Sequence, residues 1–130
     1  MSVQPTYVVL DVETTGLKAE TDEIIEIGAQ KCQGREVLGE FEQLLKATRP
    51  LSAETIAVNG ITQEMLDAEG KDQAEALRAF REFVGDHIIV AHNAPFDVGF
   101  LNASFQRHGI PVFTNRTIDT IEIAKKYLIL

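Results

Sequence analysis

The sequence predicts an α/β fold: a mixed sheet of about five strands with helices on its faces. Three observations predict it. Three β-rich runs joined by turn residues fill the first part, segments with helical spacing fill the middle, and strand then alternates with helix towards the end. At 130 residues the chain has the length of one domain, 1–130, long enough for a core of its own.

The elements follow in order. Thr6–Glu13 reads as a strand, an uninterrupted β-rich run expected to be buried on both faces. TTGLKAETDE is a turn-rich connection broken at Gly16. Ile24–Cys32 is a second strand, a hairpin turn centres on Gly34, and EVLGEFEQLLK is a third strand, completing an antiparallel meander. SAETIAVNG and TQEMLDAEG give two short helices, with Ser52 and Thr62 as N-caps and Gly60 and Gly70 as stops. KDQAEALRAFREFVG sets Ala76, Leu77, Phe80, Phe83 and Val84 at helical spacing, with a polar opposite face. HIIVAHN is a short buried strand. APFDVGFLNASFQRHG is a helix with Pro95 near its first position, an apolar face at Phe96, Phe100, Leu101 and Phe105, and Gly109 as stop. TIDT is a last short strand, and IEIAKKYL begins a further helix. The order β-β-β-α-α-α-β-α-β-α fits an RNase H-like sheet and not a purely parallel, doubly wound one.

Composition narrows the function classes. With 45% hydrophobic and 25% charged residues the chain resembles ordinary globular proteins. No run approaches the roughly 18 apolar residues of a transmembrane helix. The start MSVQPTYVVL lacks the basic region and small-residue cleavage site of a signal peptide, so a cytoplasmic protein without membrane association is expected. Cys32 is alone and is expected as a buried free thiol. The net charge of −8, from 20 acids and 12 basic residues, argues against broad electrostatic capture of nucleic acid. It still admits a nucleic-acid enzyme whose divalent cations neutralise the site locally.

Asp11 and Glu13 are the first candidates for chemistry. Side chains alternate along a strand, so both point to one face and Val12 to the other. Two carboxylates a pleat apart repel each other and stay ionised at low cost only beside a cation, and oxygen ligands suit Mg²⁺ or Mn²⁺. The competing reading is a strand running out into solvent with two surface acids. Asp97 falls in the first turn of the helix after IIVAHN, where an acid also complements the helix dipole. If the two strands are neighbours, their C-terminal ends bring all three carboxylates together. Such a trio suits two-metal phosphoryl transfer, with ions roughly 3.5–4 Å apart.

VVLDVETTGL, AVNGITQEML and IVAHNAPFDVGFL resemble the first two exonuclease motifs, and the loop between them, of the DnaQ-like DEDDh 3′–5′ exonucleases. This is the family of the proofreading epsilon subunit of bacterial DNA polymerase III, and the resemblance runs from Tyr7 to about Tyr127. It implies an RNase H-like fold, two divalent metals (Mg²⁺ or Mn²⁺) and removal of nucleotides from a DNA 3′ end, preferably single-stranded. By the same resemblance Asp11 bridges the metals, Glu13 holds the one that activates water, and Asp97 binds the other. Thr14, Thr15, Gly16 and Leu17 line the terminal nucleotide, with Leu17 as a wedge against the last base. Asn59, Gly60 and Ile61 match the loop that closes over the bases. Leu17 also reads as a core leucine, and Ile61 as an ordinary apolar residue after a helix stop. The His92–Asn93 pair is structural in this reading: His92 ends a buried strand and Asn93 fastens the turn that aims Asp97.

One family feature is missing. The third motif, H-x-x-x-x-D, supplies the general base and a fourth carboxylate, and the sequence holds no such pattern after Asp97. Asp119 reads instead as a cap or turn acid. Three explanations stand: a fragment of a longer exonuclease, a helix supplied by a partner or second copy, or a catalytically weak relative. The leading expectation is therefore an incomplete exonuclease domain, inactive or weakly active alone, with a polymerase subunit or further domains as partners. The alternative is a catalytically deficient module binding nucleic acid or a polymerase. A phosphatase reading of DVETTG fails because the second acid is Glu13 and no later lysine plus paired-Asp segment follows.

Overall fold

The computed structural model describes residues 4–127. The chain order is β1 (Thr6–Thr14), β2 (Ile24–Gln33), β3 (Glu36–Leu44), α1 (Ala53–Asn59), α2 (Gln63–Glu69), α3 (Gln73–Val84), β4 (Ile88–Ala91), α4 (Ala94–Arg107), β5 (Thr117–Asp119) and α5 (Thr120–Tyr127). The end of the predicted last helix, residues 128–130, lies outside the described residues. The strands form one five-stranded sheet in the order β3-β2-β1-β4-β5. Strands β1, β2 and β3 pair antiparallel, whereas β4 pairs parallel with β1 and β5 parallel with β4. This is the mixed, RNase H-like arrangement that the element order predicts.

Local chemistry accounts for the boundaries. The β2–β3 hairpin turns at Gly34, whose φ of +60° suits a residue without a Cβ. Ser52, Thr62 and Asp72 cap α1, α2 and α3, each accepting a backbone N–H three residues on. Helix α3 buries Ala76, Leu77, Phe80 and Val84. Helix α4 ends at Arg107 with His108 as its cap, and Gly109, the predicted stop, follows at a φ of +68°.

The main core forms where α3 and α4 cover one face of the sheet. Val8, Leu10 and Val12 of β1 meet Leu77 and Phe80 of α3 and Phe100, Leu101 and Phe105 of α4 there. A second, smaller cluster joins Ile25, Leu44, Ile61 and Leu66. Strand β1 is central in the sheet but is not buried on both faces as its sequence predicts. Its burial alternates, and Val9, on the opposite face, is 41% exposed. The helices that share the core with β1 lie on one side of it, so the other face meets water. Cys32 is a buried free thiol. Among the described residues, no helix is long and apolar enough to cross a membrane.

Candidate active site

Strand β1 outruns its parallel neighbour, and that offset makes the site. Pairing with β4 covers only Tyr7 to Val9, opposite Ile88 to Val90. Residues beyond Val9 therefore project past the end of β4, where the chain turns into α4. Asp11 is exposed opposite Gly28, and Glu13 is half-buried opposite Glu26. A Cβ at Gly28 would meet nothing within 4 Å, so the surface beside Asp11 is open.

The turn into α4 brings in the third carboxylate. Asn93 adopts a left-handed φ of 67°, which turns the chain sharply between β4 and the helix. The Asp119 carboxylate holds this turn, accepting the N–H groups of Asn93 and Ile121, both at 3.0 Å, and that of Ala94. Burial works against ionised Asp119, but these three donors and His92 outweigh it and hold its pKa below the usual carboxylate value. Asp97 then lies in the first turn of α4, 4% exposed, and accepts the backbone N–H of Val12, between Asp11 and Glu13.

The electrostatics of this corner are unfavourable without a cation. The Oδ2 atom of Asp97 is buried and has no hydrogen-bond partner. Burial first, then the Asp11 charge, with smaller contributions from Glu13 and Asp119, pushes Asp97 up to about 7 against the Val12 N–H. Burial and the charges of Asp11 and Glu26 also raise Glu13. Burial, Glu42 and Asp11 raise Glu26. An orphaned carboxylate oxygen and oxygen-only donors from two elements match what a hard divalent cation takes. Among the described residues, no three or more His, Cys, Asp or Glu side chains stand close enough together to hold a metal ion as they are placed. The donor set fits a cation in kind, with its side chains still apart.

Next to the carboxylates runs a cleft of about 460 Å³, lined by Glu13, Thr14, Leu17, Val58, Asn59 and Phe96 among others. Its floor is tied together by side-chain bonds to backbone. The Thr55 hydroxyl donates to the Thr15 carbonyl at 2.8 Å, Thr14 donates to the Gly16 carbonyl, and the Asn59 amide reaches the Thr14 carbonyl at 3.4 Å. A Cβ on Gly16 would run into the Asp22 carboxylate, which would have to shift from its place beside Lys18 and Thr15. Two apolar side chains stand out from the walls: Leu17 is 84% and Val58 86% exposed.

Of the residues expected from sequence, Glu13, Thr14, Thr15, Gly16, Leu17 and Asn59 line this one cleft. Asp11 and Asp97 do not line it: Asp11 faces a separate hollow with Gly28, Glu40 and Glu42, and both lie near enough to Glu13 and to each other for their charges to interact. Ile61 is placed elsewhere: it is 3% exposed in the second core cluster, facing Ile25, Leu44 and Leu66. His92 is exposed, not buried at a strand end, with its Nδ1 2.9 Å from the Thr120 hydroxyl. Asn93 shapes the turn by backbone conformation, and its side chain makes no cap bond. Sequence reasoning missed Val58 and Phe96. Periodicity offered no guide to Val58, since α1 buries a single residue, Thr55.

The exonuclease family model (RNase T) matches residues 8–129. The chain is 45% identical over 122 residues to the PolC-type DNA polymerase III of Bacillus cereus, and 46% identical over 123 residues to that of Bacillus subtilis. Each match covers 94% of this chain and 8% of the relative, so the chain spans about one-twelfth of those polymerases. Among solved structures, Escherichia coli exonuclease I in complex with an oligonucleotide superposes with a TM-score of 0.86 at 19% identity. That match covers 95% of this chain and 30% of exonuclease I.

Proposed function

The chain belongs to the RNase T exonuclease family, and from that premise we propose that it is a metal-dependent exonuclease domain acting on DNA 3′ ends. The observation that carries this reading is the unpartnered, buried Asp97 oxygen, repelled by Asp11 and Glu13 at the end of an apolar-walled cleft. Two divalent cations, Mg²⁺ or Mn²⁺, supply an activated water and charge neutralisation at the leaving oxygen when bound. Asp11, Glu13 and Asp97 hold them. Leu17 and Val58 take the last base between them, and Phe96 packs beside it. Thr14, Thr15 and Gly16 line the cleft between the carboxylates and Leu17, where the terminal sugar and phosphate would lie.

None of the chain's three histidines lines the cleft, and in this reading none of them serves as the general base. In this reading the base and a fourth carboxylate come from further chain or a partner, as befits a domain matching a small part of a polymerase. The DNA polymerase III relatives favour DNA over RNA as substrate and proofreading as the task. That missing base also favours a second reading, a module that binds 3′ ends without cutting them.

Single-stranded DNA labelled at either end, incubated with Mn²⁺, tests the proposal. Shortening from the 3′ end, abolished by EDTA and by Asp11→Ala, is the expected result when the chain is supplied with its natural continuation. Degradation from the 5′ end, or undiminished activity in Asp11→Ala, overturns it. The 130 residues alone are expected to bind Mn²⁺ and a 3′ end with little turnover.

A further inference from the structure

Strand β1 and the segment after it are fastened to α4 at two places. The first is at Val12, whose N–H meets Asp97 near the start of the helix. The second is ten residues on, at the other end of α4, where the Arg107 guanidinium forks onto the loop. Nη1 donates to the carbonyls of Ala19 at 2.8 Å and Glu20 at 3.4 Å, and Nη2 to that of Asp22 at 3.3 Å. Nη2 also donates to the Ser104 hydroxyl at 3.1 Å, one turn back on the helix, where Ser104 is fully buried. One planar side chain thus collects the carbonyls at the end of a tight turn in which Thr21 and Asp22 both bond back to Lys18.

The loop passes this constraint on to the cleft through Asp22. The Asp22 carboxylate accepts the Lys18 N–H at 2.9 Å and the Thr15 hydroxyl at 3.4 Å, and it fills the space that a side chain at residue 16 would need. Between the two fastenings the chain carries Glu13, Thr14, Thr15, Gly16 and Leu17. Asp97 and Arg107 lie about 15 Å apart along one helix, so α4 holds this stretch of chain at two well-separated points. An arginine in the last turn also complements the helix dipole. That role calls for no contact with another segment, whereas this side chain reaches three carbonyls of the β1–β2 loop.

We propose that Arg107 is a positioning residue, holding Thr15–Asp22 in the shape that receives the terminal nucleotide. It sets affinity for the nucleic acid and leaves the cation site alone. The inference rests on the proposed reading of the cleft as a 3′-end site. A lysine cannot replace it, because an ammonium is a point donor without the planar fork that spans separate carbonyls.

The test compares the unaltered chain with Arg107→Ala and Arg107→Lys by three measurements. Amide hydrogen exchange across residues 15–22 is expected to quicken in Arg107→Ala, with residues 97–101 unchanged. Binding of 5′-fluorescein-labelled (dT)10, read by anisotropy with Ca²⁺, is expected to weaken about five-fold, since the lost bonds are charge-assisted but exposed. Mn²⁺ affinity by calorimetry is expected to stay the same, and Arg107→Lys to recover little of the (dT)10 affinity. Unchanged exchange in the loop overturns the proposal. So does a parallel fall in Mn²⁺ and (dT)10 affinity, which marks general damage to α4, or full recovery in Arg107→Lys. If the unaltered chain fails to bind (dT)10 while the exchange difference persists, the reading of the cleft falls and the clamp stands.

Discussion

The two faces of β1 meet opposite surroundings. On one, Val8, Leu10 and Val12 are 0–6% exposed beneath α3 and α4. On the other, Val9 is 41% exposed, Asp11 meets water, and Glu13 and Glu26 repel each other across the strand pair. One nine-residue strand thus carries the core on even positions and the candidate chemistry on odd ones. The apolar face gains free energy by excluding water. The acidic face loses it in the metal-free protein, because like charges sit together and one carboxylate oxygen is stranded. Stability and function here are opposed by a single-residue alternation.

Removing the apolar support gives the largest effect that the comparison predicts. Phe80 is fully buried and packs tilted against Phe41, at 5.1 Å between ring centroids, and edge-on against Phe113. Phe80→Ala is expected to cost about 3–5 kcal/mol in urea unfolding, enough to threaten a small domain. A loss under about 1 kcal/mol would mean that the core does not close as described.

On the acidic face the sign reverses. Asp97 titrates near 7 in the folded chain and near its ordinary value of 3.8 when unfolded. Above pH 7 it is ionised in both states, and the cost of holding it charged is fully present. As pH falls from about 7 towards 4 the folded state takes up a proton first, so that cost disappears and the metal-free protein gains stability. Glu13 and Glu26, also raised, add to the same trend, while Asp119, held low, opposes it only at lower pH. Metal-free protein is therefore expected to melt higher at pH 5.5 than at pH 8. Asp97→Asn is expected to remove most of the difference, raising stability at pH 8 by roughly 2 kcal/mol after solvent screening. The same substitution is expected to weaken Mn²⁺ binding more than ten-fold. A melting temperature that rises from pH 5.5 to pH 8 would contradict the assignment.

Sequence pattern reaches the sheet more fully than it reaches the site. Turn glycines, N-caps and 3.6-residue spacing locate every helix and strand, because those signals act within a few residues of the feature that they mark. What escapes is whatever depends on the far side of an element. The exposed face of β1 could not be read from its apolar run, since only the packing of α3 and α4 on a single side decides it. Ile61 and Val58 lie three residues apart in one motif, yet Ile61 joins Ile25 and Leu66 in a core and Val58 stands out 86% exposed. Only the docking of α1 against the β1–β2 loop separates them, through the bond from Thr55 to Thr15. The carboxylates were legible as residue types at a spacing. The turn that aims Asp97 was legible at Asn93, and Asp119 was legible as a turn acid, but the bond that joins them across 26 residues of chain was not.

That turn supports a smaller, more specific prediction. Asp119→Ala removes the acceptor shared by the N–H groups of Asn93, Ala94 and Ile121. The start of α4 then loses its tether, and Asp97 loses its aim without losing its charge. Mn²⁺ affinity is expected to fall about three- to ten-fold, with faster amide exchange confined to residues 92–95. Asp119→Asn, which keeps one carbonyl acceptor, is expected to retain part of the affinity. Equal loss in both variants would point to the charge of Asp119, and not its hydrogen bonds, as what matters.

The smallest effect on folding separates the cleft wall from the core. Val58 is almost fully exposed, so Val58→Ser should change unfolding free energy by no more than about 0.5 kcal/mol. If Val58 and Leu17 take the last base between them, losing one apolar wall should still weaken (dT)10 binding about two- to five-fold, the worth of a partly desolvated aliphatic contact. Ile61→Ala is the counterpart: a clear loss of stability, with (dT)10 affinity per folded molecule unchanged. An exposed valine whose removal leaves binding untouched would be an ordinary surface residue, and the base-contacting part of the cleft would then narrow to Leu17 and Phe96.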